Sequence, residues 1–414
     1  MIINKPLKEI TKTDLQWLID NQVPEDKTLE YKSELNLSKE KKQKFLEEIT
    51  AFANADGGDL IYGIKEIDEV PAELVPVIKM SEYDQTVLTI TNYLAVWTKP
   101  RLSDVSIGKV DLGNEDLALI IRVGRSISAP HAVYDGSTHR FYIRKLNSII
   151  PMDVDELRNS FLKTENFSKR IREFISERLV EIDSNRYDYV NKEYPILVVH
   201  AIPVNRFLSR DFYKLKDIDL AVEKSGSNAF HTIYNRRITF DGVRLANTKH
   251  KDARTAYAFY FLDGTIEIAG QSGFFFTYNG NNRYIPVGTK IVRSKILCNL
   301  IFECFEQINK FYNELNMDQS VLFFMSLLNA KGYRIYTGNL FRGADDDKSI
   351  DRDVVLLPEI LVEGFSKLDE TEIPKTIRPL LDSLWNASGL EKCIFFDDEG
   401  NYHVPDDYQE ISNL

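Results

Sequence analysis

The segment Leu29–Ile64 constrains the fold more than any other part of the chain. Polarity alternates over residues 28–35, which is typical of a half-buried strand. Apolar residues at helical spacing follow over 39–55, and the double glycine at 57–58 is suited to end that helix. A second apolar run covers 59–64. We therefore predict a strand, a helix, a glycine turn and a second strand in one continuous unit.

Acidic residues flank both predicted strands. A hairpin-like arrangement would bring Glu25, Glu30 and Glu66 together. Three convergent carboxylates suit a hard divalent cation, and such a cation can promote phosphodiester cleavage. The alternative is a polar strand face without a catalytic role, which a lone Glu-x-Lys pattern would favour. Lys32 lies two residues after Glu30 and so on the same strand face, where it could neutralise a phosphate or keep the carboxylates ionised.

The length and composition limit the class of protein. At 414 residues the chain is expected to hold two domains. A net charge of −11 argues against a generally basic nucleic-acid-binding surface, although it leaves room for a local basic groove. The three cysteines have neither a disulfide framework nor zinc-finger spacing. No apolar run approaches the roughly 20 residues of a membrane span, so we expect a cytoplasmic protein with no membrane partner.

The order of predicted elements indicates an α+β fold. We place the domain boundary in the polar stretch 163–168, which gives domains 1–165 and 166–414. One helix is expected to end the first domain at about residue 162, and a separate amphipathic helix to begin the second at about 169. The second domain is expected to be β-rich, with Asp263-Gly264 as a two-residue hairpin turn.

Several motifs in a fixed order carry a family resemblance. LEYK is followed by AFANADGG and LIYGI, and then by SAPHAVYDGSTHRFYIRKLNSIIPMDVDELRNSF. This series resembles the Schlafen-type AlbA-like domain over residues 20–162, and linked motifs in order are far more specific than one alone. The resemblance implies a mixed sheet with packed helices in the first domain. It identifies no family for the α+β second domain.

The resemblance also implies a function. In Schlafen-type ribonucleases, three acids occupy the positions that Glu25, Glu30 and Glu66 hold here. The third acid is usually Asp, so Glu66 is longer by one methylene, and Asp68 is a nearby substitute. The family suggests a metal-dependent endoribonuclease that uses Mg²⁺ or Mn²⁺ on structured RNA such as tRNA. A role in antiviral defence or stress would suit such an enzyme, and pairing into a homodimer is common among these proteins.

Basic residues near these motifs are candidates for substrate binding. They are Lys32, Lys42, Arg144, Lys145 and His131. Glutamates are interleaved with the lysines around Lys42, so a plain solvated helix face is an equally good interpretation there. A lone histidine such as His131 is more often structural than functional.

Two other functions remain open from the sequence. The chain could be a non-catalytic nucleic-acid-binding regulator, in which the three acids are polar strand residues without a catalytic role. It could also be an adaptor subunit, with the second domain providing a surface for a partner protein. Binding that survives removal of metal would favour the regulator, and a stoichiometric partner would favour the adaptor.

Overall fold

The computed structural model describes most of the chain. The described residues are 5, 7–102, 104–126, 128–145, 148–184, 190–207, 212–226, 230, 235–246, 255–271, 273–280, 285–317, 320–338, 348–406 and 408. The chain divides into two compact units, unit 1 at Met1–Glu173 and unit 2 at Phe174–Leu414. Both units combine helices with sheets, which confirms the predicted α+β class.

Unit 1 contains two larger sheets and helices that pack on them. Its helices are α1 (Lys12–Asp20), α2 (Lys42–Ala53), α3 (Tyr83–Trp97) and the first part of α4 (Val154–Asp183). Its strands are β1 (Leu29–Lys32), β2 (Gly58–Tyr62), β3 (Ile64–Ile67), β4 (Val70–Leu74), β5 (Ile78–Lys79), β6 (Thr98–Lys99), β7 (Val105–Gly113), β8 (Asp116–Val123), β9 (Ala132–Tyr134), β10 (His139–Lys145) and β11 (Ser148–Pro151).

The predicted order of strand, helix, turn and strand is confirmed, but the hairpin-like pairing is wrong. Strands β1 and β2 run parallel, with Glu30 opposite Leu60. A helix between two neighbouring strands carries the chain back to the starting edge, so the second strand repeats the direction of the first. Strands β2, β7 and β5 then pair antiparallel with β8, which completes the predicted mixed sheet.

The glycine turn allows α2 to end directly beside β1. Gly58 has φ of +152°, and a Cβ atom there would lie 2.3 Å from the carbonyl oxygen of Thr28. No other residue type fits such a close approach of two backbone segments. Apolar side chains of α2, including Phe45 and Phe52, fill the core on one face of this sheet. Residues of α1, including Leu15, help to fill the other.

The second sheet of unit 1 joins the same core. It has the strand order β11-β10-β9-β6. Asn54, at the end of α2, donates to the carbonyl oxygens of His131 (2.9 Å) and Tyr142 (2.8 Å) and accepts from the His131 N–H (2.7 Å). Because Asn54 is buried, these three bonds hold β9 and β10 against the end of α2.

The predicted break between two helices near residue 165 is wrong. Helix α4 runs without interruption over Val154–Asp183, through the whole polar stretch 163–168. That stretch contains no Pro or Gly, and polar residues alone do not end a helix. The division between the units falls within α4, so this helix contributes residues to both of them.

Unit 2 is built around one large sheet. Its remaining helices are α5 (Leu215–Ser225), α6 (Ser294–Glu314) and α7 (Glu372–Asn386). Its strands are β12 (Ile196–Pro203), β13 (Asn235–Ile238), β14 (Gly242–Ala246), β15 (Ala256–Phe261), β16 (Ile266–Gly270), β17 (Phe275–Thr277), β18 (Lys290–Arg293), β19 (Val321–Leu328), β20 (Tyr333–Tyr336), β21 (Val354–Leu356) and β22 (Ile360–Val362).

Eight strands form the large sheet in the order β13-β14-β15-β16-β12-β19-β21, with β22 also paired to β19. The hairpin predicted at Asp263-Gly264 is confirmed, because the turn joins the antiparallel strands β15 and β16. The predicted two-residue length is wrong, since β15 ends at Phe261 and β16 begins at Ile266. Every residue of β12 and β19 is buried, so this sheet is covered on both faces. In the described part of the chain, no helix is long and apolar enough to cross a membrane.

Candidate functional site

Glu30 lies at the centre of a buried charged cluster in unit 1. It is only 5% exposed, and its two carboxylate oxygens form ion pairs with Lys32 and Arg144. The Arg144 side chain comes from β10 and is itself fully buried. Its guanidinium also donates to the carbonyl oxygen of Asp26 (3.0 Å) and lies 4.7 Å from the ring centroid of Phe52. Two cations therefore balance the charge of Glu30, and Arg144 fixes its position.

The other two predicted acids lie in the electrostatic neighbourhood of Glu30. Glu25 accepts a hydrogen bond from the backbone N–H of Tyr31 at 2.7 Å, which orients it along β1. Glu66 is half-buried on β3. Burial raises the pKa of Glu66, and the negative charges of Glu25 and Glu30 raise it further, while Lys32 opposes them. The charges of Glu25 and Glu30 thus act on the Glu66 carboxylate through space.

Glu48 is a fourth acid in this cluster, and the sequence analysis missed it. It lies on α2, is 6% exposed, and burial raises its pKa to about 7. Lys32 opposes this change in the pKa of Glu48, and Glu30 adds to it. The hydroxyl of Tyr62, on β2, is a hydrogen-bond partner of Glu48. The signal was present in the sequence, since Phe45, Glu48 and Phe52 share one face of the helix.

Lys32 is the cation that this group of acids already holds. Burial alone would lower the pKa of Lys32, but the charges of Glu30, Glu48 and Glu25 raise it above its ordinary value. About a third of its side chain stays exposed (31%), in contrast to the fully buried Arg144. Negative potential therefore converges on the Lys32 ammonium at the edge of the cluster.

The fit of a divalent cation is limited by these ion pairs. Among the residues that the structure describes, no three His, Cys, Asp or Glu side chains are placed together as metal ligands. Carboxylates are the donors that Mg²⁺ and Mn²⁺ prefer, but Glu30 is already paired on both oxygens. A cation would have to displace Lys32 from Glu30. The roles of Glu25, Glu30 and Glu66 as metal ligands therefore stay a prediction.

Two of the other basic candidates have partners outside this cluster. The Lys42 ammonium lies 3.2 Å from the ring centroid of Trp97, a cation–π contact. Lys145 is exposed and forms an ion pair with Glu156 near the start of α4. A phosphate would compete with these contacts for both lysines.

His131 is enclosed in the protein. It is 1% exposed, its Nδ1 is 2.8 Å from the carbonyl oxygen of Pro100, and its Nε2 is 2.7 Å from Oγ of Ser126. Burial lowers the pKa of His131, which favours a neutral ring at pH 7. These bonds give the ring a structural role. A substrate contact would require it to leave both partners.

Comparisons with known proteins identify the domain that carries this cluster. Residues 25–153 match the family model described as Schlafen, AlbA_2, which confirms the predicted resemblance. This range includes all the predicted site residues, and a domain of this type indicates a function that involves nucleic acid. No curated protein matches the chain.

The crystal structure of the DIP2311 protein from Corynebacterium diphtheriae is similar to part of the chain, at 19% identity and a TM-score of 0.21. The similarity covers 31% of this chain and 22% of that one, so this chain spans about a fifth of that protein. A likeness of this extent supports no argument about function.

Proposed function

We propose that the Schlafen AlbA-like domain at residues 25–153 binds nucleic acid and cleaves structured RNA such as tRNA, with Mg²⁺ or Mn²⁺ bound by Glu25, Glu30 and Glu66. The observation that carries this proposal is the electrostatic proximity of the three acids: burial raises the pKa of Glu66, and the charges of Glu25 and Glu30 raise it further. Negative charges that raise the pKa of a neighbouring carboxyl group favour a bound cation, which here would take the place of Lys32. A bound metal ion would stabilise charge on a phosphoryl oxygen and supply an activated water.

The protein's own cations have distinct roles in this proposal. Arg144 is fully buried and bonded to Glu30 and the Asp26 carbonyl, so it keeps the Glu30 carboxylate in place. Lys32 is partly exposed on a flexible stem, so it can release Glu30 and turn toward a phosphate of the substrate. Glu48 lies behind them with a pKa of about 7 and can hold a proton near neutral pH.

A second function is favoured by one specific observation, the pairing of both Glu30 oxygens with Lys32 and Arg144. If those pairs persist when RNA is bound, the domain binds nucleic acid without cleaving it. Such a regulator would bind RNA in a salt-dependent manner, and the binding would survive EDTA.

The experiment that separates the two functions compares metal-dependent cleavage by matched variants. The purified full-length protein is incubated with tRNA in Mn²⁺ or in EDTA, as wild type, Glu66→Gln and Glu73→Gln. Glu73 is an exposed glutamate on the neighbouring strand β4, so its variant is the control for the loss of one charge. We expect cleavage in Mn²⁺ by the wild type and the Glu73 variant, and loss of cleavage in EDTA or in the Glu66 variant.

Two results would reject parts of this proposal. Intact tRNA with the wild type, together with salt-dependent binding that EDTA does not affect, would establish the regulator instead. Equal cleavage by the wild type and Glu66→Gln would remove Glu66 from the site. Circular dichroism of each variant checks that it is folded.

A further inference from the structure

The hairpin formed by β13 and β14 lies at one edge of the large sheet in unit 2. All four residues of β13 are exposed. Phe240, in the turn between the two strands, is 96% exposed, the highest exposure among the large apolar side chains that the structure describes. Single exposed apolar residues are common, but this ring is almost fully in water and lies three residues after the exposed Arg237.

The backbone around Phe240 is fixed. The N–H of Thr239 donates to the carbonyl oxygen of Gly242 at 2.8 Å, which closes the turn. A Cβ atom at Gly242 would lie 2.0 Å from the carbonyl oxygen of Tyr260, so the turn packs closely on β15. The exposed ring is therefore presented from an ordered turn, which lowers the entropy that a ligand must overcome on binding.

Two arginines lie opposite each other on one face of this hairpin. Arg237 on β13 is paired in register with Arg244 on β14. Arg236, the preceding residue, points to the other face and forms an ion pair with Asp219 of α5. The exposed guanidinium of Arg237 therefore lies on the face of the hairpin away from α5.

A second exposed phenylalanine lies beside the same turn. The backbone N–H of Tyr213 donates to the carbonyl oxygen of Leu262 at 2.8 Å. The backbone N–H of Leu262 donates in turn to the carbonyl oxygen of Asp241 at 2.9 Å. These bonds bring the segment that starts at Phe212 next to the hairpin turn. Phe212 is 66% exposed, and Lys214, two residues later, is also exposed. Two exposed phenylalanines and the exposed Lys214 therefore lie on segments that meet at this turn.

We propose that Phe240, Phe212 and Arg237 form a contact for single-stranded nucleic acid in unit 2, in which the rings stack on bases and the guanidinium binds a phosphate. Aromatic rings beside cations are the chemistry of such sites. A protein partner fits less well, since a stable interface covers about 800 Å² on each side and needs more apolar area than two rings. The choice of nucleic acid as the occupant rests on the function proposed for unit 1.

The test measures binding of a labelled single-stranded oligouridylate to the full-length protein in EDTA, by fluorescence anisotropy. The variants are Phe240→Ala, Phe212→Ala and Arg237→Gln. Val287→Ala is the control, because Val287 is an apolar residue of unit 2 that is 71% exposed. We expect about tenfold weaker binding for each phenylalanine variant. For the Arg237 variant, we expect a shallower plot of the logarithm of the binding constant against the logarithm of the salt concentration, with a slope smaller in magnitude by about 0.7. The control should bind as the wild type does.

The remaining outcomes of this test distinguish the inference from the function proposed for unit 1. If the wild type binds and all three variants bind equally well, the inference is overturned, and the nucleic-acid contacts lie elsewhere. If the wild type cleaves tRNA in Mn²⁺ but does not bind the oligouridylate, the inference also falls while the proposed function stands. Weaker binding by Phe240→Ala without any cleavage by the wild type supports the inference alone. Loss of self-association in Phe240→Ala, with RNA binding unchanged, would identify a second copy as the occupant and overturn it.

Discussion

Replacement of Glu48 by Gln should stabilise unit 1 at high pH and have little effect at low pH. The pKa of Glu48 is raised from 4.5 to about 7 in the folded protein. Between these values the folded unit holds a proton that the unfolded chain has released, so stability falls as the pH rises through this interval. Across this interval the free energy of unfolding falls by about 3 kcal/mol, since each pH unit accounts for about 1.4 kcal/mol. A Gln side chain has no proton to release in this range, so the variant avoids this fall in stability. Its amide oxygen can still accept a hydrogen bond from the Tyr62 hydroxyl.

The measurement is hydrogen exchange of peptides from α2 and β2, read by mass spectrometry at several pH values between 4.5 and 8. Peptides report on unit 1 alone, which a global unfolding curve of a two-unit chain would not do. Relative to the wild type, the gain in stability of Glu48→Gln should grow by about 3 kcal/mol across this range. Glu34→Gln, the same change at an exposed glutamate, is the control. A difference between Glu48→Gln and the wild type that does not change with pH would refute the assigned pKa and its cause.

Three further substitutions test the packing around the site. Asn54→Ala removes three buried hydrogen bonds, and we expect it to lower the stability of unit 1 by about 3 kcal/mol, measured by hydrogen exchange of peptides from α2 and β9. Arg144→Met leaves Glu30 in a buried place without its main partner, so we expect a loss of about 3–5 kcal/mol, and Arg144→Met with Glu30→Gln should recover part of it. Gly58→Ala places a methyl group 2.3 Å from the carbonyl of Thr28, so little folded protein should be obtained, whereas an unchanged melting temperature would contradict the close approach.

Local patterns in the sequence were sufficient for much of unit 1. The alternation at β1, the apolar face of α2 and the double glycine each act over a few residues, so their order could be predicted. The parallel pairing of β1 with β2 depends on where the chain goes after α2, which the hairpin-like interpretation did not consider. The match to the AlbA-like family came from linked motifs, and the comparison confirms it.

The charged cluster was harder to predict, because it depends on contacts between distant segments. Glu30 and Arg144 are 114 positions apart and lie in different sheets, so only the tertiary fold brings them into an ion pair. The sequence analysis took Arg144 as a substrate contact, since nothing local shows that its side chain is buried. Glu48 was missed for the opposite reason: its place on an apolar helix face was visible, but a buried glutamate is rare enough to be overlooked.

The continuity of α4 has a practical consequence for anyone who expresses the halves of this protein separately. A fragment cut at residue 165 would end in the middle of Val154–Asp183 and expose four carbonyl groups, while the complementary fragment would start with four bare amides. Each end would fray, and the turns next to the cut would lose order. Overlapping fragments that both retain the entire helix, one ending after Asp183 and the other starting before Val154, avoid this damage.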